Sequence, residues 1–122
     1  MLGLISRHGE IVARSGNAVE FSFQTVSITL IYDCDADRMR LLSPIKRKSD
    51  LGSGELDDAM QANFHSVLDA RYCVYDDVVW SAFIHPLADL SDDLFVSAIE
   101  QVALANLTFG DQYTGGNIYF QG

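Results

Sequence analysis

The chain has 122 residues with a net charge of −9, and 48% of them are hydrophobic. This length fits one domain with a single core, and the apolar content is too high for a disordered chain. The excess of acid argues against nucleic acid and membranes as partners, because nucleic acid and anionic membranes are both bound through clusters of Lys and Arg, and no apolar run approaches the roughly 20 residues that span a bilayer.

The N-terminus and the cysteines bear on the cellular compartment. The first ten residues, MLGLISRHGE, have no basic stretch followed by an apolar one, so we expect no secretion signal. Cys34 and Cys73 are too few to make a disulfide framework in a chain of this size. A disulfide between them stays open, and two free thiols in a reducing compartment is the simpler interpretation. We therefore expect a cytoplasmic protein.

Three segments in the first half have the pattern of strands. Residues 18–23, AVEFSF, alternate apolar and polar side chains, and residues 26–32, VSITLIY, are rich in β-branched and aromatic side chains. Residues 33–37 form a polar turn, and residues 38–44 continue as a third strand. The pattern predicts a three-stranded antiparallel meander.

A helix and a hairpin are predicted next. Residues 55–68 carry acid in their first turn, which suits the positive end of a helix. Residues 72–75 and 78–85 read as two strands of a hairpin around Asp76-Asp77, and Pro86 ends the second strand. The apolar positions of the helix recur at helical spacing and predict a buried face made of Leu56, Met60, Phe64, Val67 and Leu68.

A long helix is predicted to close the domain. Ser91 is a good N-cap, and Gly110 is a natural C-terminal stop. The helix between them has roughly 18 residues and a length of about 27 Å. Its predicted buried face consists of Leu94, Phe95, Ala98, Ile99, Val102 and Leu107.

The last six residues, NIYFQG, resemble the recognition sequence of a plant-virus protease that is used to remove purification tags. We take residues 115–122 as a tag-derived tail and residues 1–114 as one α+β domain.

The best candidate for a metal site is the acidic turn. Asp33, Asp35 and Asp37 give D-x-D-x-D, which begins like a calcium loop. Such a loop needs Gly at its sixth position and an acid at its twelfth, and the chain has Arg38 and Pro44 there. We predict a polar turn that binds no metal tightly, and a loose calcium site closed by other acids stays as an alternative.

The other reactive side chains make no recognised pattern. His8, His65 and His85 lack zinc spacing, and Cys73 is predicted to lie opposite Trp80, so it forms no dyad with His85. No nucleotide-binding loop or nucleophile elbow occurs. We expect no catalytic residue and no cofactor.

The apolar side chains of the hairpin are the remaining functional candidates. Trp80 shares one face with Ala82 and Ile84, whereas Phe83 shares the opposite face with Val79. Apolar side chains on both faces indicate either full burial or a binding surface, and for Trp80 burial in the core is the preferred interpretation. The candidates for partner binding or dimerisation are Val78, Val79, Trp80, Phe83 and Phe64.

Two short motifs resemble those of the type III secretion chaperones. AMQANF at 59–64 resembles the family's LL-x-A-N-L helix, and HPLADL at 85–90 resembles its R-L-P-L-x-x-L corner, with His85 in place of the basic residue. The order strand–strand–strand–helix–hairpin–helix over about residues 18–110 is also similar. The family begins with a full amphipathic helix, and residues 1–17 are shorter than that. The resemblance implies a small acidic homodimer that binds protein segments without ATP.

We therefore expect an antiparallel sheet, made of the meander and the hairpin, with two main helices packed on one side. The expected function is that of a non-enzymatic homodimer that binds a segment of a partner protein, such as a secreted effector or a regulator. One alternative is a regulatory domain that binds a small ligand or a signalling partner, as in a related family of bacterial regulators (YbjN-like). Another is a hydrolase built on carboxylates such as Asp33, Asp35 and Asp37.

Overall fold

The computed structural model describes residues 1–116, and within this range six strands form one antiparallel sheet. The strand order is β1-β2-β3-β4-β6-β5. The predicted α+β class is confirmed. The elements are α1 (Leu2–His8), β1 (Glu10–Ser15), β2 (Ala18–Phe23), β3 (Val26–Asp33), β4 (Arg38–Arg47), a 3₁₀ turn (Lys48–Asp50), α2 (Glu55–His65), β5 (Arg71–Tyr75), β6 (Val78–His85) and α3 (Asp92–Leu107).

The meander has four strands instead of the predicted three, because β1 precedes the first predicted strand. Every residue of β1 is exposed, so the strand has no alternation of buried and exposed positions that a sequence pattern would reveal. Its register against β2 also shifts between Ile11 and Ala13. The short helix α1 was not predicted either, and it buries Ile5 in the core.

The main core lies between α3 and one face of the sheet, which we call the inner face. α3 contacts β3, β4, β5 and β6. The predicted N-cap is confirmed, because the Leu94 amide donates to Ser91 Oγ at 3.1 Å. The predicted face of α3 is right except at its ends, where Leu94 is half-buried and Leu107 is exposed. The core consists mainly of Phe21, Ile28, Leu30, Met39, Leu41, Phe83, Phe95, Ile99 and Val102.

The predicted buried face of α2 is wrong at its two largest side chains. Met60 is 43% exposed and Phe64 is 86% exposed, whereas Ala59 and Ala62 are buried. Small side chains allow the α2 backbone to lie close to its neighbours, and the large side chains then point to solvent. The helix also ends at His65 rather than at residue 68.

Two amide side chains fix the start of β5. Asn63 on α2 accepts from the Tyr72 amide at 2.7 Å and donates to the Tyr72 carbonyl at 3.0 Å. Gln101, buried on α3, accepts from the amides of Asp69 at 2.9 Å and Ala70 at 3.2 Å. The loop before β5 is thereby tied to both long helices.

The segment after α3 folds back over α2 and β5. Phe109 and Tyr113 make edge-on ring contacts with Tyr72, whose hydroxyl donates to the Ala105 carbonyl at 2.6 Å. Burial raises the pKa of Tyr72 to about 12. The tail predicted at 115–122 falls mostly outside the described residues, which include Gly115 and Gly116 of it; the amide of Gly115 donates to the Ser66 carbonyl at 3.0 Å.

Among residues 1–116, no helix is both long enough and apolar enough to cross a membrane.

Candidate functional site

The side chains of β6 alternate between the two faces of the sheet, and this separates the predicted site residues on the strand into two groups. Val79 and Phe83 lie on the inner face and are buried, and between them Ser81 Oγ donates to the Val102 carbonyl at 2.8 Å. Val78 and Trp80 lie on the opposite face of β6 and are half-buried. Burial of Trp80 in the core, the preferred prediction, is therefore wrong.

Trp80 lies on the outer face of the sheet, the face opposite α3. Pairing places it next to Cys73 of β5, as predicted, and next to Pro44 of β4. One step along the strands, Leu42 pairs with Ala82. A hollow of about 460 Å³ on this face is lined by Ile31, Arg40, Leu42, Cys73, Tyr75, Trp80, Ala82 and Ile84. We call these eight residues the outer hollow.

Large apolar side chains of the outer hollow remain open to solvent. Ile84 is 58% exposed, and Tyr75 is 74% exposed. The indole nitrogen of Trp80 donates to the Tyr75 carbonyl at 3.1 Å. Because the polar atom of the indole is already satisfied, the ring offers apolar surface only. A contiguous apolar patch of this kind is typical of an interaction surface.

The outer hollow contains one cation and no acid. Arg40 pairs in register with Ile31 on β3 and with Ile84 on β6. At the border, Arg71 pairs with Ala82, and its guanidinium donates to the carbonyls of Leu68 and Ala70. The hollow is thus locally basic on a chain whose net charge is −9.

The ion pair in the described part of the chain lies outside the outer hollow. Lys46 Nζ is 3.1 Å from Glu55 Oε1 on α2. The amide of Gly52, and then Lys46, lower the pKa of Glu55. Between Pro44 and Lys46 the register of β4 shifts by one residue, and Lys46 then pairs with the inward-facing Val79. This shift turns Lys46 towards α2 and leaves Arg47 beside the outward-facing Val78.

The acidic turn has a structural role. Asp33 Oδ1 accepts from the Ala36 amide at 3.1 Å, and Asp37 Oδ1 accepts from the Ala88 amide at 2.8 Å. The Asp37 carbonyl also accepts from the Leu87 amide. The first bond closes the β3–β4 turn, and the two Asp37 bonds tie this turn to the loop after β6. Residues 1–116 contain no group of three or more His, Cys, Asp or Glu side chains placed to hold a metal ion.

The cysteines and histidines form no reactive pair in the described residues. Cys34 and Cys73 are free thiols, as predicted, and burial raises the pKa of the Cys73 thiol. His85 stacks on the Phe83 ring at 5.8 Å, and its Nδ1 lies 2.8 Å from the Pro86 carbonyl oxygen. His65 packs edge-on against Phe64.

A second apolar surface lies beside β5. Phe64 and Met60 point outward from α2, which packs against this strand, and Val74 of β5 is also exposed. β5 is one edge of the sheet, and its only formal charge is on Arg71. The other edge, β1, has charges at Glu10 and Arg14 and the register shift around Val12.

No protein-family model and no curated protein sequence matches the chain. Solved structures do match it. The type III secretion chaperone SycH of Yersinia pestis, in complex with a stable fragment of YscM2, matches at 14% identity and a TM-score of 0.67, over 88% of this chain and 94% of that chain. The chain has the fold of the type III secretion chaperones.

Two further structures agree. The HopA1–SchA chaperone–effector complex matches at 13% identity and a TM-score of 0.64, over 81% of this chain and 79% of the other. The ExsC–ExsE complex matches at 16% identity and a TM-score of 0.62, over 78% and 75%. The resemblance drawn from AMQANF and HPLADL is therefore confirmed at the level of the secretion-chaperone fold.

The sequence indicated Trp80 as a candidate site residue, but it did not indicate which residues of the other strands surround it. The residues that share its face come from three other strands, and only the pairing register brings them together. The available signal was the alternation on each predicted strand, which assigns residues to two faces without saying which face the helices cover. The missed members of the outer hollow are Ile31, Arg40, Leu42, Cys73 and Tyr75.

Proposed function

We propose that this protein is a non-enzymatic binding module that holds a segment of a partner protein on the outer face of its sheet. The observation that carries the proposal is the outer hollow, in which Trp80 and Ile84 present apolar surface that no helix of the described residues covers. Burial of such surface contributes about 25 cal/mol per Å², so an apolar segment gains free energy by covering it.

The polar groups of the site support binding over catalysis. The outer hollow brings together one charged side chain, Arg40, and no carboxylate or imidazole that would act as acid or base, and burial raises the pKa of the Cys73 thiol, which favours its unreactive protonated form. The carboxylates of Asp33 and Asp37 are occupied by backbone amides. The solved structures of the same fold also support the proposal, because they are complexes, one of them a chaperone–effector complex.

We further propose that the protein is a homodimer that pairs through α2 and the β5 edge. A large apolar side chain that is 86% exposed, as Phe64 is, favours association, and Met60 and Val74 extend this surface. The β5 edge presents unpaired backbone groups with little charge to protect them. A two-fold axis beside this edge would cover both features and leave the outer hollow free.

The free thiols Cys34 and Cys73 support action in a reducing compartment, the bacterial cytoplasm.

Partner binding is tested by affinity capture from extracts of the native host, followed by mass spectrometry. The unmodified protein, Trp80→Lys and Val12→Lys are compared. Val12 is a matched control, since it is an exposed apolar residue (64%) at the opposite edge of the sheet. We expect a protein that is captured by the unmodified chain and by Val12→Lys and is lost with Trp80→Lys. Equal capture by all three chains would refute binding at the outer hollow.

Dimerisation is tested by sedimentation at high micromolar concentration. We expect the unmodified chain and Val12→Lys to sediment as dimers, and Phe64→Lys to sediment as a folded monomer, because Phe64 makes little contact with its own core. A monomeric unmodified chain would refute the dimer. A dimer that survives Phe64→Lys would place the interface elsewhere.

A further inference from the structure

We propose that the segment bound in the outer hollow is an acidic amphipathic one, with a carboxylate that pairs with Arg40 and apolar side chains on both sides of that carboxylate. This inference rests on the proposed function, since it names the chemistry of the partner that the outer hollow accepts.

The position of Arg40 carries the argument. It is in the middle of a cross-strand row, with Ile31 on one side and Ile84 on the other. The neighbouring row places Leu42 next to Ala82. A segment that covers these apolar side chains must therefore also cover the guanidinium between them.

Covering Arg40 has a cost unless the partner supplies an acceptor. The structure gives it no ion pair within residues 1–116, and no Asp or Glu lines the outer hollow. An arginine that loses its water without a carboxylate is strongly unfavourable, whereas a guanidinium–carboxylate pair is among the strongest hydrogen-bonded contacts. The hollow therefore discriminates against neutral and basic apolar segments.

The border of the outer hollow is mainly basic. Arg71 pairs with Ala82 at one side, and Arg47 pairs with Val78 at another. The acids near this face already have partners: Asp33, which lines a neighbouring hollow together with Arg40, accepts from the Ala36 amide at 3.1 Å, and Glu20, which pairs with Thr29, accepts from Ser27 at 3.3 Å. Three of the eight Lys and Arg residues of this acidic chain thus lie in or beside the hollow.

A second copy of the chain is a poor occupant. Two outer hollows placed face to face would bury both copies of Arg40 without an acceptor, because neither lining contains a carboxylate. A partner of different sequence removes this difficulty.

The size of the face sets the length of the occupant. The hollow crosses β3, β4, β6 and β5, which are three inter-strand spacings or about 14 Å. A helix of about 10 residues spans this distance at 1.5 Å per residue. The segment we infer is therefore two to three helical turns long, with one apolar face and at least one acid on it.

Two synthetic helical peptides of 14 residues test this inference. They share a Leu/Ala face and differ only in having Glu or Lys at one position in the middle of this face. Neither contains tryptophan, so Trp80, the only tryptophan of the protein, reports docking through its fluorescence. The net charge of −9 favours the basic peptide at long range, whereas the outer hollow favours the acidic one. The two effects therefore predict opposite preferences.

We expect the acidic peptide to bind roughly 10- to 100-fold more tightly than the basic one. Arg40→Glu should reverse this preference, and the fold should survive, because the Arg40 side chain is exposed. Arg7→Glu is the matched control, since it makes the same charge change on α1 and should leave the ratio unchanged.

Each other outcome overturns the inference. Tighter binding of the basic peptide, or a preference that Arg40→Glu does not alter, removes the role of Arg40. If both peptides bind with equal affinity, and fluorescence anisotropy of a labelled peptide shows that this binding is lost in Trp80→Lys, the inference of an acidic partner is wrong. The proposed function is retained in that case. Absence of binding for both peptides overturns the inferred segment, and host proteins that Trp80→Lys still captures would in addition overturn the binding surface itself.

Discussion

Gln101→Leu tests whether one buried amide holds the loop before β5. The Gln101 side chain accepts from two backbone amides, those of Asp69 and Ala70, and leucine has a similar size but no acceptor. The substitution removes both of these hydrogen bonds without leaving a large cavity. It also removes the bonds that Gln101 Nε2 donates to Ser97 Oγ at 3.1 Å and to Asp69 Oδ2 at 3.5 Å, but both acceptors are on exposed or partly exposed residues and can bond to water instead.

The backbone amides of Ala70 and Asp69 contribute differently to the loss of stability. Ala70 is fully buried, so its N–H has no access to water, and an unsatisfied buried donor costs about 1–3 kcal/mol. Asp69 is exposed, and its N–H can bond to water instead, so we assign it at most about 1 kcal/mol. Leucine recovers part of this through apolar burial. We expect a net loss of about 2 kcal/mol in the free energy of unfolding, a large share of the roughly 5–15 kcal/mol of a typical domain.

Urea denaturation measures the loss of stability, and hydrogen exchange at the amide of Ala70 measures its location. We expect faster exchange at Ala70 and little change in the centre of α3. Glu100→Leu is the control, because it makes the same type of change one residue away at an exposed position. A Gln101→Leu protein with unchanged stability and unchanged exchange at Ala70 would show that the loop does not depend on this side chain.

Three further outcomes are expected. Ser91→Ala removes the cap bond to the Leu94 amide and should lower the free energy of unfolding by about 1 kcal/mol in urea denaturation. Ile99→Ala, in the buried face of α3, should cost roughly 2–5 kcal/mol, whereas Leu107→Ala, at its exposed end, should be nearly neutral; equal costs would show that the face is misassigned. Because the pKa of Tyr72 is raised from 10.0 to about 12, the stability that it contributes is complete below pH 10 and is lost as the pH rises towards 12. Denaturation across this range should show a smaller loss for Tyr72→Phe.

The elements that could be predicted from the sequence are those in which the pattern of apolar and polar side chains indicates which positions are buried. β2, β3 and β4 each bury alternate residues, and α3 has a cap and a wide apolar face. β1 has no buried residue, so its sequence contains no such signal. α1 has seven residues, and a helix this short is marginal by its own propensity, so tertiary packing of Ile5 decides its existence.

The candidate site was harder to predict because the size of an apolar side chain does not indicate whether it is buried at this site. Phe64 and Trp80 are among the largest side chains of the chain, and core positions were the ordinary expectation for both. Ala59 and Ala62 occupy the contact of α2 with its neighbours instead, where their small size allows close approach. On β6 both faces are apolar, so alternation alone could not indicate that Val79 and Phe83 face α3.

The order of the strands has a consequence for how the chain reaches this fold. β4 pairs with β6, although 30 residues that include α2 and β5 separate Arg47 from Val78. The meander before Arg47 and the hairpin after Ala70 consist of local contacts, whereas the β4–β6 junction must wait for a long loop to close. α3 contacts strands on both sides of that junction and follows all six strands of the described residues. A nascent chain that has not yet released α3 therefore exposes the apolar inner face of the sheet, and we expect its folding to be completed only after α3 has been released.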